Sequence, residues 1–142
     1  MKQQFVTGFL FSDSGRQLVV IHKNRPAWQA GKVNVPGGKV EPGETPLRAI
    51  SREWFEETGS AVFEWDLFAV IEGADFELSC FMNFSTAQLL RCHTATDELI
   101  DFAAVDALPA NMLPNARWLI AMALSFKAGE RASSFQIQEV YA

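Results

Sequence analysis

The chain has 142 residues, a formal net charge of −5, 49% apolar residues and 20% charged ones. That length suits a single domain over residues 1–142 with its own core. The acidic balance excludes a long nucleic acid held through its phosphates, and no apolar run is long enough to span a bilayer.

Two cysteines, Cys80 and Cys92, are too few for a disulfide scaffold. The first residues lack a basic and then apolar leader, so a reducing, cytoplasmic location is expected. Phe5 to Phe11 is rich in β formers and reads as a strand. The turn signal Asp13-Ser14-Gly15 follows, then the apolar run Gln17 to His22, so the two predict a hairpin. Neither His22 nor His93 pairs with a nucleophile in the sequence, and each reads as structural.

Residues 23 to 32 form a loop carrying Lys23, Arg25, Trp28 and Lys32. One reading is a solvated loop. The other has Lys23 or Arg25 holding substrate phosphate, since the arginine fork binds phosphate oxygens in pairs, with Trp28 stacking on a base. Val33 to Val35 is a short strand, and Pro36-Gly37-Gly38 lets the backbone approach a neighbour without a Cβ in the way.

Thr45 and Pro46 open a helix as N-cap and first-turn proline, and Gly59 suits its left-handed exit. Leu47, Ile50, Trp54 and Phe55 predict its apolar stripe. Glu53, Glu56 and Glu57, at i, i+3 and i+4, place three carboxylates as neighbours beside that stripe. They stand near the helix C-terminus, where the macrodipole disfavours anions, so a compensating cation is expected. Oxygen-only clusters suit hard cations such as Mg²⁺.

These residues resemble the motif of the Nudix hydrolases, G-x5-E-x7-R-E-U-x-E-E-x-G-U with U a bulky aliphatic residue. Gly38, Glu44, Arg52, Glu53, Glu56, Glu57 and Gly59 stand at the matching positions. Trp54 replaces the usual aliphatic, and Ser60 replaces the last bulky residue.

The rest of the chain continues as Val62 to Ile71 and Phe76 to Phe84, a second predicted hairpin turned by Gly73-Ala74-Asp75. Ser85 to Arg91 reads as a short helix or loop, Leu99 to Val105 as a strand, and Ala116 to Lys127 as a helix ended by Gly129. Phe135 to Tyr141 reads as a last edge strand. Strands on both sides of one helix, with a second helix late in the chain, predict a mixed sheet between helices. The resemblance implies the same α/β/α sandwich.

The resemblance also implies Mg²⁺, with Mn²⁺ as an alternative, acting on a diphosphate linkage in a small nucleotide. Its ligands would be Glu53, Glu56, Glu57 and the carbonyl of Gly38, with Gly37 as the near alternative. Arg52 is expected to orient a glutamate, and Glu44 to support the site structurally. The general base falls to Glu98 in the downstream loop, or to Glu53 or Glu56. Asn115 stands either as an N-cap or as a reader of a purine edge. A nucleoside triphosphate is the first substrate expected. ADP-ribose or a dinucleotide, and a non-catalytic nucleotide sensor, stand behind it. A homodimer is compatible with all of these.

Overall fold

The computed structural model describes residues 2–127 and 135–138. Gly129 and residues 139–141, to which the sequence assigns the helix stop and the end of the last strand, lie outside the described residues. The elements run β1 (Gln3–Phe11), β2 (Gln17–His22), β3 (Val33–Asn34), β4 (Gly37–Lys39), α1 (Pro46–Thr58), β5 (Asp66–Glu72), β6 (Phe76–Phe84), α2 (Thr86–Leu89), β7 (Leu99–Ala104), α3 (Pro114–Lys127) and β8 (Phe135–Gln138). The predicted strand at Val62 to Ile71 starts only at Asp66. The preceding residues are irregular, with the Trp65 indole donating to the Val62 carbonyl at 3.0 Å.

The strands form one mixed sheet in the order β3-β2-β1-β6-β5-β8, with β4 added to β1 and β7 to β2. β1 lies parallel to β6 along its whole length, from Gln3 opposite Phe76 to Phe11 opposite Phe84. β5 and β6 form the expected antiparallel hairpin. The first hairpin departs from expectation: β1 and β2 meet at Phe11 and Leu18 and then separate. β4 takes the place beside β1 at Phe5 to Thr7, and β3 the place beside β2 at Ile21 and His22. The sheet therefore forks, and the chain from Val33 to Lys39 crosses from one arm to the other.

Period-two alternation sends neighbouring side chains to opposite faces of the sheet. Phe9, Phe11, Leu18 and Val20 pack with Leu119, Ala123 and Phe126 of α3. Leu10, Val19 and Ile21 pack with Ile50 and Trp54 of α1. These two cores give the layers α3, sheet and α1, which is the α/β/α sandwich expected from the sequence.

Trp54 is fully buried and meets Trp65 edge to face at 5.0 Å between ring centroids. Gly8 of β1 makes room for this pair. A Cβ there would lie 2.9 Å from Trp54 and 3.0 Å from Trp65. Gly8→Ala should therefore overpack the α1 core and cost about 1–3 kcal/mol. Chemical denaturation measures this, and an unchanged midpoint would mean that the indoles move aside freely.

Candidate active site

The acidic residues are positioned by the way α1 is built. Thr45 caps it by accepting the Arg48 N–H at 3.2 Å, Pro46 occupies the first turn, and Gly59 exits at φ 71°. Its inward face is Ala49, Ile50 and Trp54. The predicted stripe needs correction at its two ends: Leu47 is 46% and Phe55 57% exposed. Phe55 is about 100° round the helix from Trp54 and so turns outward. Glu57 follows Ile50 by two full turns and comes onto the inward face, where it is only 8% exposed. The sequence placed all three glutamates beside the buried stripe; one of them lies within it.

Glu57 meets the fork in the sheet. Its carboxylate accepts the Gly37 N–H at 3.1 Å. Burial pushes the Glu57 carboxyl up to about 8; Lys23 and the Gly37 N–H oppose that rise, and the charges of Glu53 and Glu98 add to it. Glu53 lies over Gly38, where a Cβ would stand 2.4 Å from the carboxyl carbon. Its carboxyl is also raised by burial, against the pull of Arg52. A Cβ on Gly37 would collide with the Val6 carbonyl oxygen at 2.1 Å. Both glycines are therefore needed for close approach: one to let β4 pair with β1, the other to admit Glu53.

Arg52 collects the outer acids. Its Nε and Nη2 donate to the two oxygens of Glu44 at 2.7 and 2.9 Å, and Nη2 also donates to the Lys39 carbonyl at 3.0 Å. Nη1 reaches Glu53 at 2.9 Å and Glu56 at 3.3 Å. Hydrogen bonding to Arg52 holds the Glu44 carboxyl down at about 2. Glu56 is the most exposed of the three box glutamates, with 55% of its side chain accessible.

The second cation is Lys23. Its Nζ donates to Glu98 Oε1 at 2.8 Å, and its charge acts on Glu57. Glu98 Oε2 accepts the N–H groups of Asn24 and Arg25 at 2.6 and 3.2 Å. Burial alone would raise the Glu98 carboxyl, but Lys23 and these two amides outweigh it and hold the group below its ordinary value. Arg25 is paired with Asp97 through both terminal nitrogens. Lys23 and Arg25, expected to face phosphate, are thus each engaged by an acid of the loop before β7.

Trp28 is 64% exposed on the 23–32 loop. Asn115 is the second residue of α3, which begins at Pro114, so the N-cap reading fails and Leu113 precedes the helix instead. The Asn115 side chain makes no hydrogen bond among the described residues. The Lys23–Glu98 contact, across 75 positions, has no direct sign in the sequence. The β2–β7 pairing explains it: His22 opposes Leu99, so the next residues out are Lys23 and Glu98.

Among the described residues no group of three or more His, Cys, Asp or Glu side chains is arranged to hold a metal ion. The donor set still fits a hard divalent cation that takes a few carboxylates and completes its shell with water and substrate oxygens. Glu53 and Glu57 offer only oxygen, and both carboxyls are raised chiefly by burial, so that a cation would favour their charged form.

A glutamate-bearing helix packed under the fork of a mixed α/β/α sheet defines the Nudix class of fold. The family model for the NUDIX domain matches residues 1–131, and the chain belongs to that family. It is 34% identical over 71 residues to the 8-oxo-dGTP diphosphatase of Escherichia coli (strain K12), covering 50% of this chain and 54% of that protein. The chain thus spans about half the length of that curated relative. Its fold is similar to that of a MutT NUDIX hydrolase from Burkholderia pseudomallei, with a TM-score of 0.73 and 21% identity over 86% of this chain and 98% of the other. An ADP-ribose pyrophosphatase from Streptococcus suis has a TM-score of 0.68 and 14% identity, covering 98% and 100% of the two chains. Members of the family generally need divalent metal ions. Among the described residues no helix is long and apolar enough to cross a membrane.

Two measurements follow from this geometry. Gly38→Ala should displace Glu53 and weaken divalent-ion binding, with the melting temperature nearly unchanged; titration calorimetry compares the two proteins. Glu57 also sets a pH dependence. Its folded-state value lies above the unfolded one, so its contribution is fully present below the unfolded value and is lost as pH rises towards about 8. Without divalent ions, stability should fall from about pH 4.5 to pH 8, and Glu57→Gln should flatten that slope in urea titrations across the range.

Proposed function

We propose that the protein is a Mg²⁺-dependent pyrophosphohydrolase of small nucleotides. Its first substrate would be a nucleoside triphosphate, oxidised forms included, cleaved to the monophosphate and pyrophosphate. The observation that carries this reading is the pair Glu53 and Glu57, withdrawn from water against Gly37 and Gly38. Identity to an 8-oxo-dGTP diphosphatase supports the choice of triphosphate over ADP-ribose or a dinucleotide.

In this reading Glu53, Glu56, Glu57 and the Gly38 carbonyl hold Mg²⁺, or Mn²⁺ in its place. The ion, when bound, supplies positive charge against the diphosphate oxygens and acidifies water. Arg52 fixes the Glu53 carboxylate, and Glu44 fixes Arg52. Water adds to phosphorus as the bond to the pyrophosphate oxygen breaks, and Glu53 or Glu56 takes the proton. Lys23 and Arg25 line the phosphate side, Trp28 offers a stacking face, and Asn115 offers donor and acceptor to a base edge. Buried, unpaired Cys80 and Cys92 agree with a reducing, cytoplasmic setting.

Glu57→Gln should remove at least ~100-fold of metal-dependent turnover and leave the fold intact, because a neutral amide grips a cation poorly. A phosphate-release screen over nucleotides with Mg²⁺ or Mn²⁺ checks it, and full retained activity would remove Glu57 from the site. A wild-type protein that binds nucleotides and turns over none would instead be a sensor. Asn115→Ala should change the ranking among purine and pyrimidine nucleotides in the same screen; an unaltered ranking would leave Asn115 without a role in reading the base.

A further inference from the structure

Where the β2–β7 ladder ends, side chains continue the pairing. His22 opposes Leu99 in the last regular step. Beyond it, Glu98 takes the Lys23 ammonium on one oxygen and the Asn24 and Arg25 amides on the other. Asn24 Nδ2 donates to the Asp97 carbonyl at 2.8 Å, and both terminal nitrogens of Arg25 reach the Asp97 carboxylate. The acids are themselves braced, since the Glu98 N–H donates to Thr96 Oγ1 at 3.1 Å and the Ile100 N–H to Thr94 Oγ1 at 2.9 Å. The far side of the loop is closed by its own backbone, Lys23 N–H to Lys32 and Gly31 N–H to Lys23, both at 2.9 Å. Asn111 Nδ2 joins that base through the Gly31 carbonyl at 2.9 Å.

We propose that Asp97 and Glu98 form a clasp on the start of the 23–32 loop, and that Glu98 is the positioning residue for Lys23 and for the loop that presents Trp28. The Glu98 side chain is 7% exposed and its two oxygens already accept three hydrogen bonds. A base that takes a proton from water needs an oxygen open to that water. A clasp needs the opposite: oxygens filled by the chain it holds. An ammonium has three N–H donors. With one spent on Glu98, two remain on Lys23 for phosphate oxygens, on a side chain whose direction is fixed beside Glu57. The clasp would thereby set substrate affinity and selectivity, and proton transfer would lie elsewhere. It deepens the hydrolase reading and rests on it for its kinetic arm alone.

The test joins amide hydrogen exchange on the free protein with steady-state kinetics on nucleoside triphosphates and Mg²⁺. Glu98→Gln should speed exchange at Asn24 and Arg25 by about 10-fold or more, as expected for losing charge-assisted hydrogen bonds, with α1 and β6 amides unchanged. KM should rise about 10-fold while kcat stays within about 3-fold and keeps its pH profile. Unchanged exchange at Asn24 and Arg25 would overturn the clasp. So would a kcat loss of about 100-fold with disappearance of the acid limb, which would make Glu98 the base. If Glu98→Gln does not fold, Arg25→Gln opens the Asp97 half of the clasp; faster Asn24 exchange then supports the proposal and unchanged exchange defeats it. Should the wild-type protein hydrolyse no nucleotide, the exchange arm still decides the clasp while the hydrolase reading fails.

Discussion

Everything at the site depends on two carboxylates being kept out of water beside a glycine bend. Placing a charged group in a poorly hydrated position is costly unless a partner compensates it. Glu57 has one backbone N–H and the more distant charge of Lys23. Glu53 has one nitrogen of Arg52. The rest of the architecture makes this arrangement possible. β1 and β2 must separate after Leu18 so that β4 can lie against β1, and β4 must carry glycine so that the Val6 carbonyl and Glu53 can both come close. The core of α1 then fixes the height of the helix over the fork through Ile50 and Trp54.

The two cations at the site differ in a way that suits different tasks. Arg52 presents a planar fork with all three nitrogens engaged, to Glu44, Glu53, Glu56 and the Lys39 carbonyl. A rigid fork so occupied holds a frame. Lys23 is a point charge on a flexible stem with one hydrogen bond to a side chain. It can turn its remaining donors to a ligand without dismantling the helix. A filled fork and a held ammonium with donors to spare are thus divided between Arg and Lys, and an exchange of the two residue types would reverse that division.

Much of α1 was legible because its signals are local. Thr45, Pro46 and Gly59 mark its ends by capping chemistry, and the i, i+3, i+4 spacing brings Glu53, Glu56 and Glu57 together whatever the tertiary fold. The same spacing could have shown Glu57 facing inward, since it repeats the phase of Ile50 after seven residues. What the sequence does not carry is long-range pairing. The parallel β1–β6 ladder, the separation of β1 from β2 and the Lys23–Glu98 contact join segments tens of residues apart. Their register follows from how two cores are filled at once, which no window of sequence contains. Asn115 shows the smaller error of boundaries: a helix start two residues earlier than predicted moves it from cap to first turn.

The two departures from the family motif both fall in the buried layer behind α1. Trp54 is larger than the aliphatic residue it replaces, and Ser60 is smaller than the bulky residue it replaces. Both are buried, at 0% and 4% exposure, and both lie against the Cys92 thiol, whose proton burial retains. Close packing does not tolerate an added indole ring unless volume is surrendered nearby. Gly8 leaves that room on the strand beneath the ring. The layer has a polar cost: among the described residues the Trp54 indole N–H and the Ser60 hydroxyl have no conventional hydrogen-bond partner, and the weakly accepting Cys92 sulfur stands near both. That cost falls on the α1 core and not on the carboxylates, because Trp54 faces the sheet while Glu53 faces the glycine bend. The motif can therefore change its hydrophobes and keep its acids in place.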